Sequence, residues 1–562
     1  MSQAQKQFRT ISSTRSLVAV AALTFWAGAS SPTLAQGGPP PPGGPPIGGP
    51  LPAVQAPIGN QSTTNKVLLG KALFFDEQLS STGQTSCATC HINGSGGSDP
   101  RAASSQSTNP GFDGLFGTND DIVGSFGVIR SLANGRYDEH PDFGLERQVT
   151  GRKAPTMINA AFAPSLFWDG RATSTFSDPV TGGVVFLNNA ALESQSVGPV
   201  VSDSEMGHVG RNWNEAVAKL ENSKPLAAAS GLGVVLGNYV AGRTYGDLYD
   251  EAFGPGGVTA SRTAMAIATY ERSLISNQAP FSQGPGGLTP QENDGRQLFV
   301  TKARCNICHN GPLLTDFLFK NTGVTPLFQD LGQGAITGNP QENGRFKTPD
   351  LMNIELRAPY FHNGSAKTLE EVVDFYDRGG DFHINQAAAI IPLGLTAQEK
   401  AALVAFLKRP LTDTRVASEV GPFNRPLLYS ESNDTAIHYG FGTAAPSGIT
   451  PRAIAIEPQY IGNSSVTVAV ADAPPFGNAV LAMDFSQGFF NVLGASVLLG
   501  GTANMQLFPV GPMQGSGAGG GYASTSLSIP NLGSLIGLPV YLQWFILGGQ
   551  LSASEGVEVV LF

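Results

Sequence analysis

The chain has 562 residues, 33 Lys and Arg against 43 Asp and Glu, a net charge of −10 and four cysteines. An acidic balance of this size argues against nucleic acid and anionic membranes as partners, and the length is too great for one hydrophobic core. Beyond residue 35 no stretch is apolar for long enough to cross a bilayer, so no membrane span is expected.

At the start, Lys6, Arg9 and Arg15 precede an apolar run from Leu17 to Ala29 and a small-residue cleavage site at Thr33-Leu34-Ala35. This predicts a secretory signal peptide over residues 1–35 and a periplasmic or extracellular protein. Residues 36–59 are rich in Pro and Gly and are expected to form an extended tether without a core. Lys66 to Phe75 carries a short amphipathic pattern that leads to Cys87-Ala88-Thr89-Cys90-His91. The same spacing returns at Cys305-Asn306-Ile307-Cys308-His309. Two thiols at this spacing add across the vinyl groups of a haem, and the imidazole that follows reaches its iron; this is the c-type attachment signal. A zinc cluster or a redox dithiol is the alternative reading of such a motif. Every cysteine of the chain falls in one of the two motifs and each motif has its own histidine, which favours two covalently bound haem c groups.

Between Asn93 and Gly151 the chain is rich in Gly, Ser and Asp. Asp113, Asp120 and Asp121 could ligate calcium through oxygen there, or simply face water in a surface loop. Helices are predicted over Asn214 to Glu221, over Thr259 to Ser276 and from Thr289-Pro290 to Val300. Capping boxes are expected at Thr368/Glu371 and at Thr396/Glu399, the latter ahead of Ala401 to Leu407. Past Pro410, and most clearly from Ile449 onward, short runs rich in Val, Ile, Leu and Phe alternate with Gly, Pro and Asn, as the strands of a β-sandwich would.

Residues 66 to about 410 resemble the di-haem cytochrome c peroxidase/MauG family. The likeness rests on Leu69-Gly70-Lys71-Ala72-Leu73-Phe74-Phe75-Asp76, Ala154-Pro155-Thr156, Phe167-Trp168-Asp169-Gly170-Arg171, Glu205-Met206-Gly207 and Ala358-Pro359-Tyr360-Phe361-His362-Asn363-Gly364. It implies a mainly α fold: two cytochrome c-like haem domains with long loops, followed by an all-β sandwich domain outside the family's usual chain. The expected division is signal peptide 1–35, linker 36–59, N-terminal peroxidatic haem domain 60–282, C-terminal electron-transfer haem domain 283–412 and accessory sandwich 413–562.

The resemblance also implies roles. His91 would be the proximal ligand of a peroxide-reactive haem held by Cys87 and Cys90, and His309 that of a second haem held by Cys305 and Cys308. Glu205 would be the distal carboxylate that moves a proton, with Gln195 and Pro199 shaping the open face. Trp168 would lie between the haems, and Arg171 would pair a propionate or, alternatively, a structural carboxylate. Tyr376 stands where peroxidases of the family place a Met ligand and MauG-like proteins a tyrosine; its stripe with Leu369, Val372 and Val373 also suits plain core packing. Leu145 to Val149 lacks the histidine that blocks the first iron in many family members, so an open haem is expected. The family's interdomain calcium is put in doubt by Lys153, which replaces an Asn. The expected function is peroxide-dependent oxidation with a small redox protein or a protein substrate as electron donor. A haem-bearing electron-transfer or attachment protein, or an extracellular di-haem oxygenase, is the alternative.

Overall fold

A computed structural model describes residues 44–562. The expected signal peptide and the first part of the Pro/Gly-rich segment lie outside the described residues. Helices occupy the chain up to Ala417 and the large sheets lie beyond Ala436.

Two helix pairs of the same construction organise the helical part. The helix Thr64–Phe75, capped by the Thr63 side chain, packs along Ala260–Glu271, capped by Thr259. A Cβ added at Gly70 would lie 1.9 Å from the Ala266 carbonyl oxygen, so the two backbones touch where only glycine fits. In the second pair Pro290–Val300 packs on Ala397–Leu407; the latter opens with the capping box expected at Thr396/Glu399, and the former, besides its expected Pro290, with a box at Thr289/Glu292 that the sequence reading did not name. Here a Cβ at Gly295 would lie 1.9 Å from the Ala402 carbonyl oxygen. Each pair centres one apolar core: Leu69, Leu73, Ile267 and Tyr270 in the first, Phe299, Leu403 and Phe406 in the second. Each Cys-x-x-Cys-His motif follows the leading helix of its pair and is thereby set against that core.

Two local expectations change, and a third segment takes one of its two expected forms. At Leu369–Asp377 the Thr368 side chain caps the Glu371 amide, but the Glu371 carboxylate takes the Lys367 amide, so the box is not closed. The Pro/Gly-rich segment is docked along its described part rather than free. Its Pro45 carbonyl accepts from Asn306 Nδ2 (3.0 Å), the Gly48 amide donates to the Gly311 carbonyl and the Gly311 amide to the Pro46 carbonyl (both 2.9 Å), and Ile47 and Leu51 pack on the second core. An extended segment has no internal hydrogen bonds, so its free backbone groups can pair with the loop after the second motif. The Asp113–Asp121 loop turns its carboxylates on its own amides: Asp120 accepts from Phe112 and Asp113, and Asp121 from Gly117.

The tail forms two main antiparallel sheets and a two-stranded one, Gln487–Val492 with Ala495–Leu499. One main sheet pairs Arg452–Ile454, Val466–Ala473, Gly521–Leu527 and Gln514–Gly515; the other is built around Asn478–Asp484 and Pro539–Gly548. Inward residues of both, including Val468, Val470, Leu481, Trp544 and Val557, share one core, as the alternation of apolar residues requires of stacked sheets. This module is fastened to the helical part. Ile454, Ala469, Ala471 and Tyr522 pack with Ile129, Tyr137 and Leu145, and the buried Tyr137 hydroxyl donates to Glu457 (2.9 Å). Packing does not break at residue 412 either. Val416, Phe423 and Leu428 belong to the first helical core, the Phe423 carbonyl accepts from Asn93 (2.8 Å), and Glu77 accepts from the Tyr429 amide (2.7 Å).

Candidate functional site

Two cavities lie in the helical part, one beside each Cys-x-x-Cys-His motif. In the first motif Cys87–Cys90 forms one helical turn, steadied by the Ser86 amide donating to Thr89 Oγ1 (2.9 Å). His91 Nδ1 lies 3.1 Å from the Gly97 carbonyl oxygen. A carbonyl only accepts, so Nδ1 carries the proton and Nε2 keeps its lone pair for a ligand. Gly97 has φ +77° and a Cβ there would sit 2.5 Å from Met157 Sδ, so glycine is what lets this carbonyl reach the ring. The second motif repeats the device: His309 Nδ1 donates to the Leu314 carbonyl at 2.9 Å. Burial holds both imidazoles below their ordinary pKa, in the neutral form a ligand needs.

The first cavity, of about 530 Å³, brings together Cys87, Cys90, His91, Trp168, Arg171, Gln195, Pro199 and Glu205. The Glu205 loop is fixed from both sides. A Cβ at Gly127 would lie 1.8 Å from the Ser204 carbonyl oxygen, and the buried Gln148 side chain donates to the Asp203 carbonyl (2.7 Å). Burial raises the Glu205 carboxyl, opposed by the Ser202 hydroxyl and by Arg171. Arg171 stacks on Phe167 with its guanidinium 3.5 Å from the ring centre and bonds Asp169 at 2.8 Å, so the carboxylate it holds in the protein is structural. Among the described residues His91 is the only histidine lining this cavity; His140 instead accepts from the Asp142 amide in its own turn.

The second cavity, of about 250 Å³, is lined by Cys305, Cys308, His309 and, from the helix Leu369–Asp377, Leu369, Val372, Val373 and Tyr376. The inward stripe is thus as expected, with the phenol in the same cavity as His309. No methionine lines it. Burial and the nearby thiols push the Tyr376 phenol well above its usual pKa.

Lys153, Leu166, Phe167, Trp168 and Lys347 line both cavities and form the wall between them. Trp168 is pinned there by its Nε1 donating to the Lys153 carbonyl (2.8 Å) and its carbonyl accepting from the Lys347 amide (2.8 Å). Two further residues escaped the reading of the sequence. Glu271 lines the first cavity, has Oε2 without a hydrogen-bond partner and is pushed up to about 8 by burial. His362 lines the second, stacks on Phe346 at 3.6 Å, and has its Nε2 buried and unpartnered. Glu271 ends an apolar helix as its one inward acid, a signal the sequence does contain; for His362 only its place in the quoted Tyr360–Gly364 stretch pointed inward.

The donor set fits haem better than zinc. All four thiols are unpaired, each pair shares a cavity with the neutral imidazole of its own motif, and the walls are mainly apolar. Among the described residues no group of three or more His, Cys, Asp and Glu side chains could hold a metal ion by itself, which a zinc cluster would need.

Residues 64–287 match the family model for di-haem cytochrome c peroxidase. Cytochrome-c peroxidase IdrP1 of Denitromonas iodatirespirans is 29% identical over 400 residues, covering 65% of this chain and 86% of the relative. Methylamine utilization protein MauG of Methylorubrum extorquens is 29% identical over 363 residues, covering 63% and 81%. Among solved structures, a MauG-like protein associated with microbial copper homeostasis is 26% identical and covers 66% of this chain and 96% of its own, with a TM-score of 0.48.

Proposed function

From a chain that carries a domain of the di-haem cytochrome c peroxidase and MauG family, and is a peroxidase-type oxidoreductase, we propose an exported enzyme that reacts with hydrogen peroxide in the first cavity. In this reading it draws electrons through the second. The observation that carries the reading is the convergence of Glu205, Gln195, Pro199 and His91 on one cavity, with Trp168 in the wall to the next. Haem bound covalently at each Cys pair would supply a redox iron able to split the peroxide O–O bond.

The residues' own work follows from their places. His91 and His309 present Nε2, each held in register by its Nδ1 bond to a backbone carbonyl. Glu205 takes a proton from the inner oxygen of peroxide and returns it to the outer one; its partly desolvated carboxyl suits it to both halves of that transfer. Arg171, flat on Phe167, places positive charge beside Glu205. Trp168 offers the π-system between the cavities, and Tyr376, in the same cavity as His309, would be the second protein group to hold the iron there. The electron donor is a small redox protein or a protein substrate. Residues 1–35 act as the signal peptide, and residues 413–562 form the accessory module, fastened to the first haem domain as described.

Rapid mixing of the isolated oxidised protein with one equivalent of peroxide tests the function. A fast change in the haem spectrum without prior reduction is expected. No change would leave an electron carrier, and a change only after pre-reduction would favour ordinary peroxide reduction over the MauG-like reading.

Tyr376→Phe is expected to keep the fold, since the ring still packs with Leu369 and Val373. It should turn the second haem from six- to five-coordinate and raise its potential, because an anionic phenolate stabilises the oxidised iron. Electron paramagnetic resonance at low temperature reads the coordination. An unchanged spectrum with an unchanged potential would make Tyr376 a packing residue.

A further inference from the structure

The wall between the cavities holds two ammonium groups without a carboxylate partner. Lys153 is 5% exposed, and its Nζ donates to Ser98 Oγ at 2.6 Å. Lys347 Nζ donates to the Ser165 carbonyl at 2.7 Å. Neither forms an ion pair among the described residues, although the neighbouring arginines do: Arg152 with Asp169 and Asp330, Arg171 with Asp169, and Arg357 with Asp350. A buried ammonium facing only neutral oxygens is costly. Burial, aided for Lys153 by Arg357, pushes Lys153 down to about 7 and Lys347 to about 8. Both residues line both cavities, and the acids that act on them from a distance, Asp99 on Lys153 and Asp350 and Asp169 on Lys347, form no ion pair with them, so an acid that pairs with them directly enters from the cavities. The groups proposed to fill those cavities each carry two carboxylates.

We infer that Lys153 and Lys347 form a two-sided carboxylate clamp, which receives an acid side arm of the porphyrin in each cavity and makes the dividing wall neutral when both are filled. The inference rests on the two-haem reading. The same two residues hold Trp168 through their backbones, so the clamp ties the position of the porphyrin acids to that of the indole between them. Lys153 is then a fixed counter-ion common to both haems, and its charge favours the reduced form of each.

Spectroelectrochemical titration of the holoprotein tests this. Lys153→Met should retain two haems and lower both midpoint potentials together, and Lys153→Arg should restore both towards wild type. A shift confined to one haem, or none, overturns the clamp. Should Lys153→Met fail to give folded holoprotein, Lys347→Met carries the same expectation and the same refutation. A wild-type pyridine-haem count below two overturns the two-haem reading and the clamp with it. Two haems with unmoved potentials overturn the clamp alone.

Discussion

Glu205→Gln is expected to retain both haems and to slow the reaction with peroxide by about 10²–10⁴-fold, the usual worth of a positioned general acid–base group. The amide keeps the size and the loop contacts, since the Ser204–Glu205 backbone is held by Gly127 and Gln148 rather than by the carboxylate. Only the proton transfer is removed. The pH dependence has a definite sign. Glu205 must be ionised to take the first proton, and burial raises its pKa above the ordinary 4.5. The wild-type rate should therefore climb with pH through a value higher than that of a free glutamate, and the variant should lose that limb. Stopped-flow measurement across pH reads both effects. A loss smaller than about threefold, outside the range of such catalysis, would return Glu205 to the status of a loop residue.

Replacing Cys87 and Cys90 together by Ser should remove one haem from the denatured protein's pyridine-haem count, and replacing Cys305 and Cys308 should remove the other. The effect is all or none because each thiol pair is the only one lining its cavity. The two variants should differ in consequence: the first should abolish the peroxide reaction, the second should leave peroxide access open while cutting the supply of electrons. A wild-type count of one or none would sink the di-haem reading altogether.

Local chemistry was legible in the sequence, and long-range pairing was not. Thr396 announced a helix start because a capping side chain acts on amides two or three residues away, and Pro290 did so because its fixed φ suits the first helical position. Tyr376 was placed on an inward stripe by helical periodicity alone. The strands Val466–Ala473 and Pro539–Gly548 were marked by their apolar runs, whereas Gln506–Pro512, interrupted by Pro and Gly and largely exposed, was not. Arg171 showed its charge but not its partner, since a porphyrin acid and a structural carboxylate suit a guanidinium equally well. Lys153 looked like a lost ligand. Its burial between two cavities, and its hydrogen bond to Ser98 rather than an ion pair with an acid, are properties of the assembled wall that no window of sequence contains.

The fastening of residues 413–430 to the first motif's domain also sets the order in which the molecule can be finished. Asn93 and Gly94, just after His91, are bonded by Phe423 and Glu419, and Glu77 is satisfied by the Tyr429 amide. These pairings join residues 325 to 352 positions apart. Contacts of such long loop closure are intrinsically slow to form. A chain emerging N-terminus first presents its first pair of thiols long before the segment that completes their surroundings has appeared. The surroundings of the first motif are therefore complete only once residues 413–430 have docked on them.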